Sequence, residues 1–233
     1  MAFILDALAE GFRYLLDFGP DLRGIIALTL FVSISATVIG ATFGVPVGIW
    51  LGQARFRGRV LVVTLVNVGM GIPPVLAGLF VLLLLWGDGP MGGLEMLFTP
   101  SAMVLVQSIL AFPIAIGVSL ASVAALAPAA TEQLRALRLP LVGRVRILAS
   151  EARVGVLAAV AAAFGRVIAE VGAVLIVGGN IAGETRVLTT AIVQETRQAR
   201  FGAAIALGIV LLVLSTIVNG GLTWLQTRGT ADA

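Results

Sequence analysis

Four stretches of this chain are uncharged and long enough to cross a bilayer: Gly24–Gln53, Val60–Gly87, Met96–Thr131 and Phe201–Thr227. A fifth, Val154–Gly183, carries only Arg166 and Glu170. A spanning helix takes ~20 mostly apolar residues, and it satisfies its own backbone polar groups where no water is available to do so. The alternation of a membrane β-barrel is absent. Composition agrees: 59% of the 233 residues are hydrophobic and 12% charged, against about 25% charged in a soluble domain. The fold class is therefore all-α integral membrane protein, one domain over 1–233. It has five transmembrane helices at 24–53, 60–87, 100–126, 153–179 and 201–227.

Missing residue types exclude much chemistry. There is no Cys, no His and no Lys; the fifteen basic residues are all arginine. Cys or His metal sites, disulfides and a Ser-His-Asp triad are ruled out. So is a P-loop ATPase, whose lysine reaches the phosphates. A net charge of +3 gives no case for nucleic acid.

Residues 1–18 lack the basic start of a secretory signal. Asp6, Glu10, Arg13 and Asp17 fall on one helical face, and Phe3, Ile4, Leu8, Phe12, Leu15 and Leu16 occupy the rest, so the segment reads as a helix lying in the membrane interface. An ordinary lead-in to the first span has the same pattern. Orientation follows from arginine, which stays cytoplasmic near span ends. Arg55, Arg57 and Arg59 follow the first span. Arg135, Arg138, Arg144, Arg146 and Arg153 follow the third, and Arg228 the last. Most acids fall on the other side, among them Asp21, Asp88, Glu95, Glu184 and Glu195. The N-terminus is expected outside and the C-terminus inside.

Pro46, Pro73, Pro74 and Pro113 lie inside spans, where proline removes a donor and bends a helix. In "GMGIPPVLAGL" the glycines permit further unwinding. This is either a broken helix beside a pathway or a tight crossing at small residues.

Residues 127–150 make a long cytoplasmic loop. Between Pro128 and Pro140, Ala130, Leu134 and Leu137 form one stripe, and Thr131, Glu132, Arg135 and Arg138 another. Such a two-faced helix suits a partner's groove or anionic lipid. The loop resembles the "EAA" loop of ABC-importer permeases, with Glu132 at the glutamate. Gln133 and Leu134 replace its alanines, Arg138 stands where glycine is usual, and Ser150-Glu151 replaces its closing "LP". A denser likeness runs from Glu151 to Val193: Phe164, Arg166, Glu170, Gly172 and Ala173, then Gly179, Asn180, Ile181, Gly183, Thr185 and Arg186. These match the oxyanion branch of those permeases, which import molybdate, sulfate and tungstate. "AEVGAV", "VGGNI" and "VLTTAI" look most like the tungstate members.

The resemblance implies a type I ABC-importer fold and a non-catalytic permease of the bacterial inner membrane. It also implies a homodimer, a cytoplasmic ATPase dimer that binds ATP and Mg, and an extracytoplasmic oxyanion-binding protein. The cytoplasmic helix, with Glu132, Leu134, Arg135, Leu137 and Arg138, then becomes the coupling helix. The cargo expected is tungstate, with molybdate or sulfate as alternatives; a stand-alone secondary anion transporter would need internal repeats, and none is visible.

A charge at the bilayer centre costs ~2.5–3.5 kcal/mol. Arg166 and Glu170 are spaced to meet on one helical face, and at 1.5 Å per residue Arg166 lies ~20 Å beyond Arg153. Together with Asn180 they are expected to line the translocation path, or to form an ion pair that fastens the span to its neighbours.

Overall fold

The structure is a computed structural model that describes residues 2–16, 19–126 and 140–231. Every regular element described is helical: α1 (Ala2–Leu16), α2 (Pro20–Gln53), α3 (Arg59–Met70), α4 (Pro74–Leu85), α5 (Pro100–Ala124), α6 (Leu141–Glu151), α7 (Arg153–Ile168), α8 (Gly172–Gly178), α9 (Leu188–Arg197) and α10 (Phe201–Ala231), with a 3₁₀ turn at Gly92–Leu94. Among the described residues three helices cross a membrane by length and apolarity, in α2, α5 and α10; counting each bent pair as one span raises this to five.

The prolines act differently from one another. Helices α2 and α5 run uninterrupted through Pro46 and Pro113. Pro73-Pro74 ends one helix and starts the next, and the expected span 60–87 becomes α3 and α4, bent by 95°. Pro73 is extended, with ψ 123°, as a residue before proline prefers. Pro74 then opens α4, where no backbone donor is needed.

Two further expectations shift. The last part of the 127–150 loop is helix α6, which meets α7 at 84°, and Pro140 immediately precedes it. The expected span 153–179 is also interrupted: α7 ends at Ile168 and α8 begins at Gly172. The proposed coupling helix, with Glu132, Leu134, Arg135, Leu137 and Arg138, lies outside the described residues.

The chain divides into two compact units. Unit 1 is Met1–Ser35, Pro73–Gln107 and Ile168–Val218; unit 2 is Ala36–Ile72, Ser108–Val167 and Asn219–Ala233. Helices α2, α5 and α10 contribute to both, and the other boundaries fall at the Pro73 bend and beside the break after α7.

Unit 2 is held by close approach. Gly40, Gly44, Gly48 and Gly52 repeat every fourth residue on α2, one face of a helix. A methyl group there would stand 2.6 Å from Ala111 Cβ, 2.8 Å from Ala115 Cβ, 2.4 Å from Ile116 O and 2.9 Å from Val123 Cβ, in the same order. These four partners lie along α5. Around this seam Val45, Ile49, Ala115, Val123, Leu148, Ala152 and Ala159 form one buried cluster. Arg59 Nε donates to the carbonyl of Leu51, 3.1 Å away, in the last turn of α2, where cations stabilise free carbonyls.

In unit 1, α1 crosses α10 at glycines: a Cβ on Gly11 would come 2.8 Å from Gly202 O. Among its described side-chain positions the small Ala7 and Gly11 are buried, while Leu8 and Phe12 are exposed. Leu22 of α2, Leu188 and Ala191 of α9 and Leu207 of α10 form a second buried cluster.

Candidate functional site

The densest polar construction in unit 1 is residues 169–190, where two short helices flank non-helical backbone. Buried backbone donors and acceptors need partners, above all in lipid, and here side chains supply them.

Glu170 sits in the break before α8. It is buried, at 6% exposure, and its Oε1 accepts the N–H of Ala173 at 3.1 Å. That N–H belongs to the first turn of α8, which has no intrahelical acceptor, and a carboxylate there also complements the helix dipole. The Glu170 carbonyl accepts Thr189 Oγ1–H at 2.9 Å, tying the break to α9. Alongside, α8 packs on α4: a Cβ on Gly78 would lie 2.8 Å from Ala173 Cα.

The segment "GGNIAGET" leaves α8 through left-handed residues, Gly179 at φ 72°, Asn180 at φ 54° and Gly183 at φ 79°. Thr185 bridges its two ends: the hydroxyl donates to Gly178 O at 2.5 Å and accepts Ile181 N–H at 2.9 Å. Arg186 lies over the turn, donating from Nε to Asn180 Oδ1 at 3.3 Å and from its terminal NH2 to Asn180 O at 3.4 Å. Two more hydroxyls start α9. Thr190 Oγ1 accepts Val187 N–H at 3.1 Å. Thr29 Oγ1, from α2, accepts Leu188 N–H at 2.9 Å and donates to Ile25 O at 2.7 Å. All four threonines are buried.

Glu170 and Asn180 belong to this construction. Arg166 lies in the last turn of α7, in unit 2, and is exposed. Helical backbone stops at Ile168, so Glu170 lies in the break beyond the last turn of α7 that carries Arg166. In the sequence Thr185, and Thr189 and Thr190 of "VLTTAI", figure only as motif residues without a structural role, and Thr29 carries no local hint.

Beside the turn, Asp21, Gly24, Ile25, Leu28, Gly183, Glu184 and Arg186 line a pocket of about 430 Å³. Two carboxylates against one arginine make it a poor resting place for a dianion. The neighbourhood is charged throughout. Glu195 pairs with Arg200 across the end of α9, with Nε–Oε2 at 2.5 Å and NH2–Oε1 at 2.9 Å. The Tyr14 phenol is held above its ordinary pKa, chiefly by burial and then by the negative charges of Glu195 and Asp21, with Arg200 and Arg186 opposing.

Comparison with known proteins fits this architecture. The family described as "Binding-protein-dependent transport system inner membrane component" matches residues 44–229. A "Probable anion ABC transporter permease protein" of Haloferax volcanii is 42% identical over 203 residues, covering 85% of this chain and 88% of that protein. The "Tungstate uptake system permease protein TupB" of Peptoclostridium acidaminophilum is 37% identical over 235 residues, covering 95% and 99%. A solved structure of the MetNI methionine ABC transporter in an inward facing conformation aligns with TM-score 0.70 at 16% identity, covering 89% of this chain and 95% of that one; it shares the fold. By the family match and the full-length likeness to its relatives, the chain belongs to the inner membrane components of binding-protein-dependent transport systems.

Proposed function

We propose that this chain is the permease subunit of an ABC importer for an oxyanion, specifically tungstate. The observation that carries this reading is the end-to-end likeness to a tungstate uptake permease, at 37% identity over 95% of the chain. A separate ATPase subunit hydrolyses ATP with its Mg, and a separate binding protein delivers the anion from outside. Two copies of the chain, N-termini out and C-termini in, enclose the path between them, since at most five spans are few to enclose one alone. Glu132 and Arg135 touch the ATPase, with Leu134, Leu137 and Arg138 seating the coupling helix.

Within the membrane, Glu170 is a positioning residue. Its carboxylate is buried and engaged with Ala173 N–H, so it holds the start of α8. Arg166, exposed at the end of α7, is the cation that a passing dianion meets. Asn180 fixes Arg186 at the turn.

The test is tungstate uptake by proteoliposomes that hold the chain with its ATPase and binding protein. Uptake should need all three. Arg166→Leu should lower uptake per assembled complex about tenfold or more, the loss of one charge-assisted contact, and Glu170→Gln should keep most of it. Equal uptake by wild type and Arg166→Leu sinks the path role. Calorimetry of the binding protein with tungstate, molybdate and sulfate tests the cargo, and preference for sulfate overturns tungstate.

A further inference from the structure

The end of α2 and the start of α6, both in unit 2, border an open cavity of about 470 Å³, lined by Trp50, Gln53, Arg55, Phe56, Leu141 and Arg144. It holds two arginines and no acid. Glu151 is the only carboxylate among the described residues of unit 2, at the far end of α6 from Arg144. The surrounding chain adds Arg57, Arg59 and Arg146 of the same sign. The Nε of Arg144 is buried and has no hydrogen-bond acceptor among the described residues. A guanidinium N–H kept from water in this way is costly until an oxygen reaches it, and an anionic oxygen suits it best.

The cavity has an apolar wall as well. Trp50 and Phe56 stack with centroids 5.6 Å apart and planes 16° from parallel. Apolar side chains nearby in the chain face outward: Val60 is 78% exposed and Val142 79%. In a membrane protein such residues meet lipid, and tryptophan favours the headgroup level. Helix α6 meets α7 at 84°, the turn by which a chain leaves a span to lie along the interface.

We propose that this cavity binds the phosphate of an anionic phospholipid headgroup. Arg55 and Arg144 take the phosphate oxygens, and the Trp50–Phe56 stack and Leu141 cover the glycerol and the first acyl carbons. Inorganic phosphate or a cytoplasmic oxyanion offers the same oxygens without the apolar part. The aromatic wall favours the lipid, because a free anion gains nothing from it. Basic pockets at the cytoplasmic side of membrane helices take such headgroups on general electrostatic grounds.

The test is native mass spectrometry of the purified full chain in neutral detergent, titrated with phosphatidylglycerol or phosphatidylcholine. Phosphatidylglycerol should be retained in preference. Arg55→Gln and Arg144→Gln should each weaken it about fivefold, and Trp50→Leu should weaken it while leaving the preference for the anionic lipid. Arg55 is exposed, so its variant tests the site even if loss of Arg144 disturbs packing. Equal binding of the two lipids, or wild-type binding by Arg55→Gln, overturns the proposal. Displacement of phosphatidylglycerol by millimolar inorganic phosphate or tungstate overturns the lipid assignment.

Discussion

Unit 1 carries nine acids and five arginines in its sequence, whereas unit 2 carries three acids and ten arginines. Their construction differs as sharply. Unit 2 brings α2 and α5 together along a row of glycines. Unit 1 holds broken backbone with threonine hydroxyls and one carboxylate. The proposed orientation, with arginine kept at the cytoplasmic ends of spans, accounts for this charge difference. The structural difference predicts different weak points: added volume along the seam in unit 2, and a lost side-chain hydrogen bond at the broken backbone in unit 1.

The largest test concerns the charge contrast. The chain has no cysteine, so a single one reports alone. In intact cells Asp88→Cys in unit 1 should react fully with an impermeant thiol reagent, and Arg57→Cys in unit 2 should resist it until the membrane is opened. The reverse pattern would break the proposed orientation.

Next comes the seam. Gly48→Leu should destabilise the protein by about 3 kcal/mol, the upper end of overpacking costs, because its Cβ meets the Ile116 carbonyl. Unfolding in mixed micelles measures this. Gly208 of α10 has nothing within 4 Å of a built Cβ, so Gly208→Ala should leave stability unchanged or raise it by up to ~1 kcal/mol. Equal losses at both positions would mean that the seam does not distinguish the units.

Smaller effects probe unit 1. Glu170→Ala strands the Ala173 N–H and should cost about 1–2 kcal/mol; Glu170→Gln retains an acceptor and should lose less than half of that. Thr29→Val keeps the shape, strands Leu188 N–H and should also cost about 1–2 kcal/mol. If Glu170→Gln is as unstable as Glu170→Ala, the carboxyl group's hydrogen bond is not what holds α8.

How much of this can be read from the chain depends on where the partner sits. Uncharged runs mark the spans, and Pro73-Pro74 marks the bend, because each signal is local. The break after Ile168 has a weaker mark: "AEVGA" contains nothing that forbids helix, and the break is held by a local cap, Glu170 Oε1 on the Ala173 N–H three residues on, together with the bond from Thr189 to the Glu170 carbonyl. Thr29 and Leu188 are 159 residues apart, beyond any spacing rule. The glycine row on α2 was legible in principle as a four-residue repeat, and its meaning depends on the small residues that α5 places opposite.

The smallest predicted effect is spectroscopic. Tyr14 is the only tyrosine, so phenolate absorbance titrates it alone. Its folded pKa is raised above 10.0; the stability this contributes is therefore present below that value and lost as pH rises through the folded midpoint. Glu195→Gln should lower the midpoint while leaving it above the ordinary value, since burial is the larger cause. A wild-type midpoint at 10.0 would remove the charged cluster's influence on α1.

The glycine row has a genetic consequence. Glycine is encoded by GGN, and every missense change of one base in such a codon writes a residue with a β-carbon. At Gly40, Gly44, Gly48 and Gly52 no such change is small enough for the space that α5 leaves. Neighbouring codons on the exposed side of α2, such as those for Val38, Ile39 and Phe43, can drift among apolar residues. In a library of all single-base variants the gene should therefore show a comb in this region, with the four glycine codons depleted of missense changes, buried Val45 and Ile49 also constrained, and apolar drift at exposed codons between them.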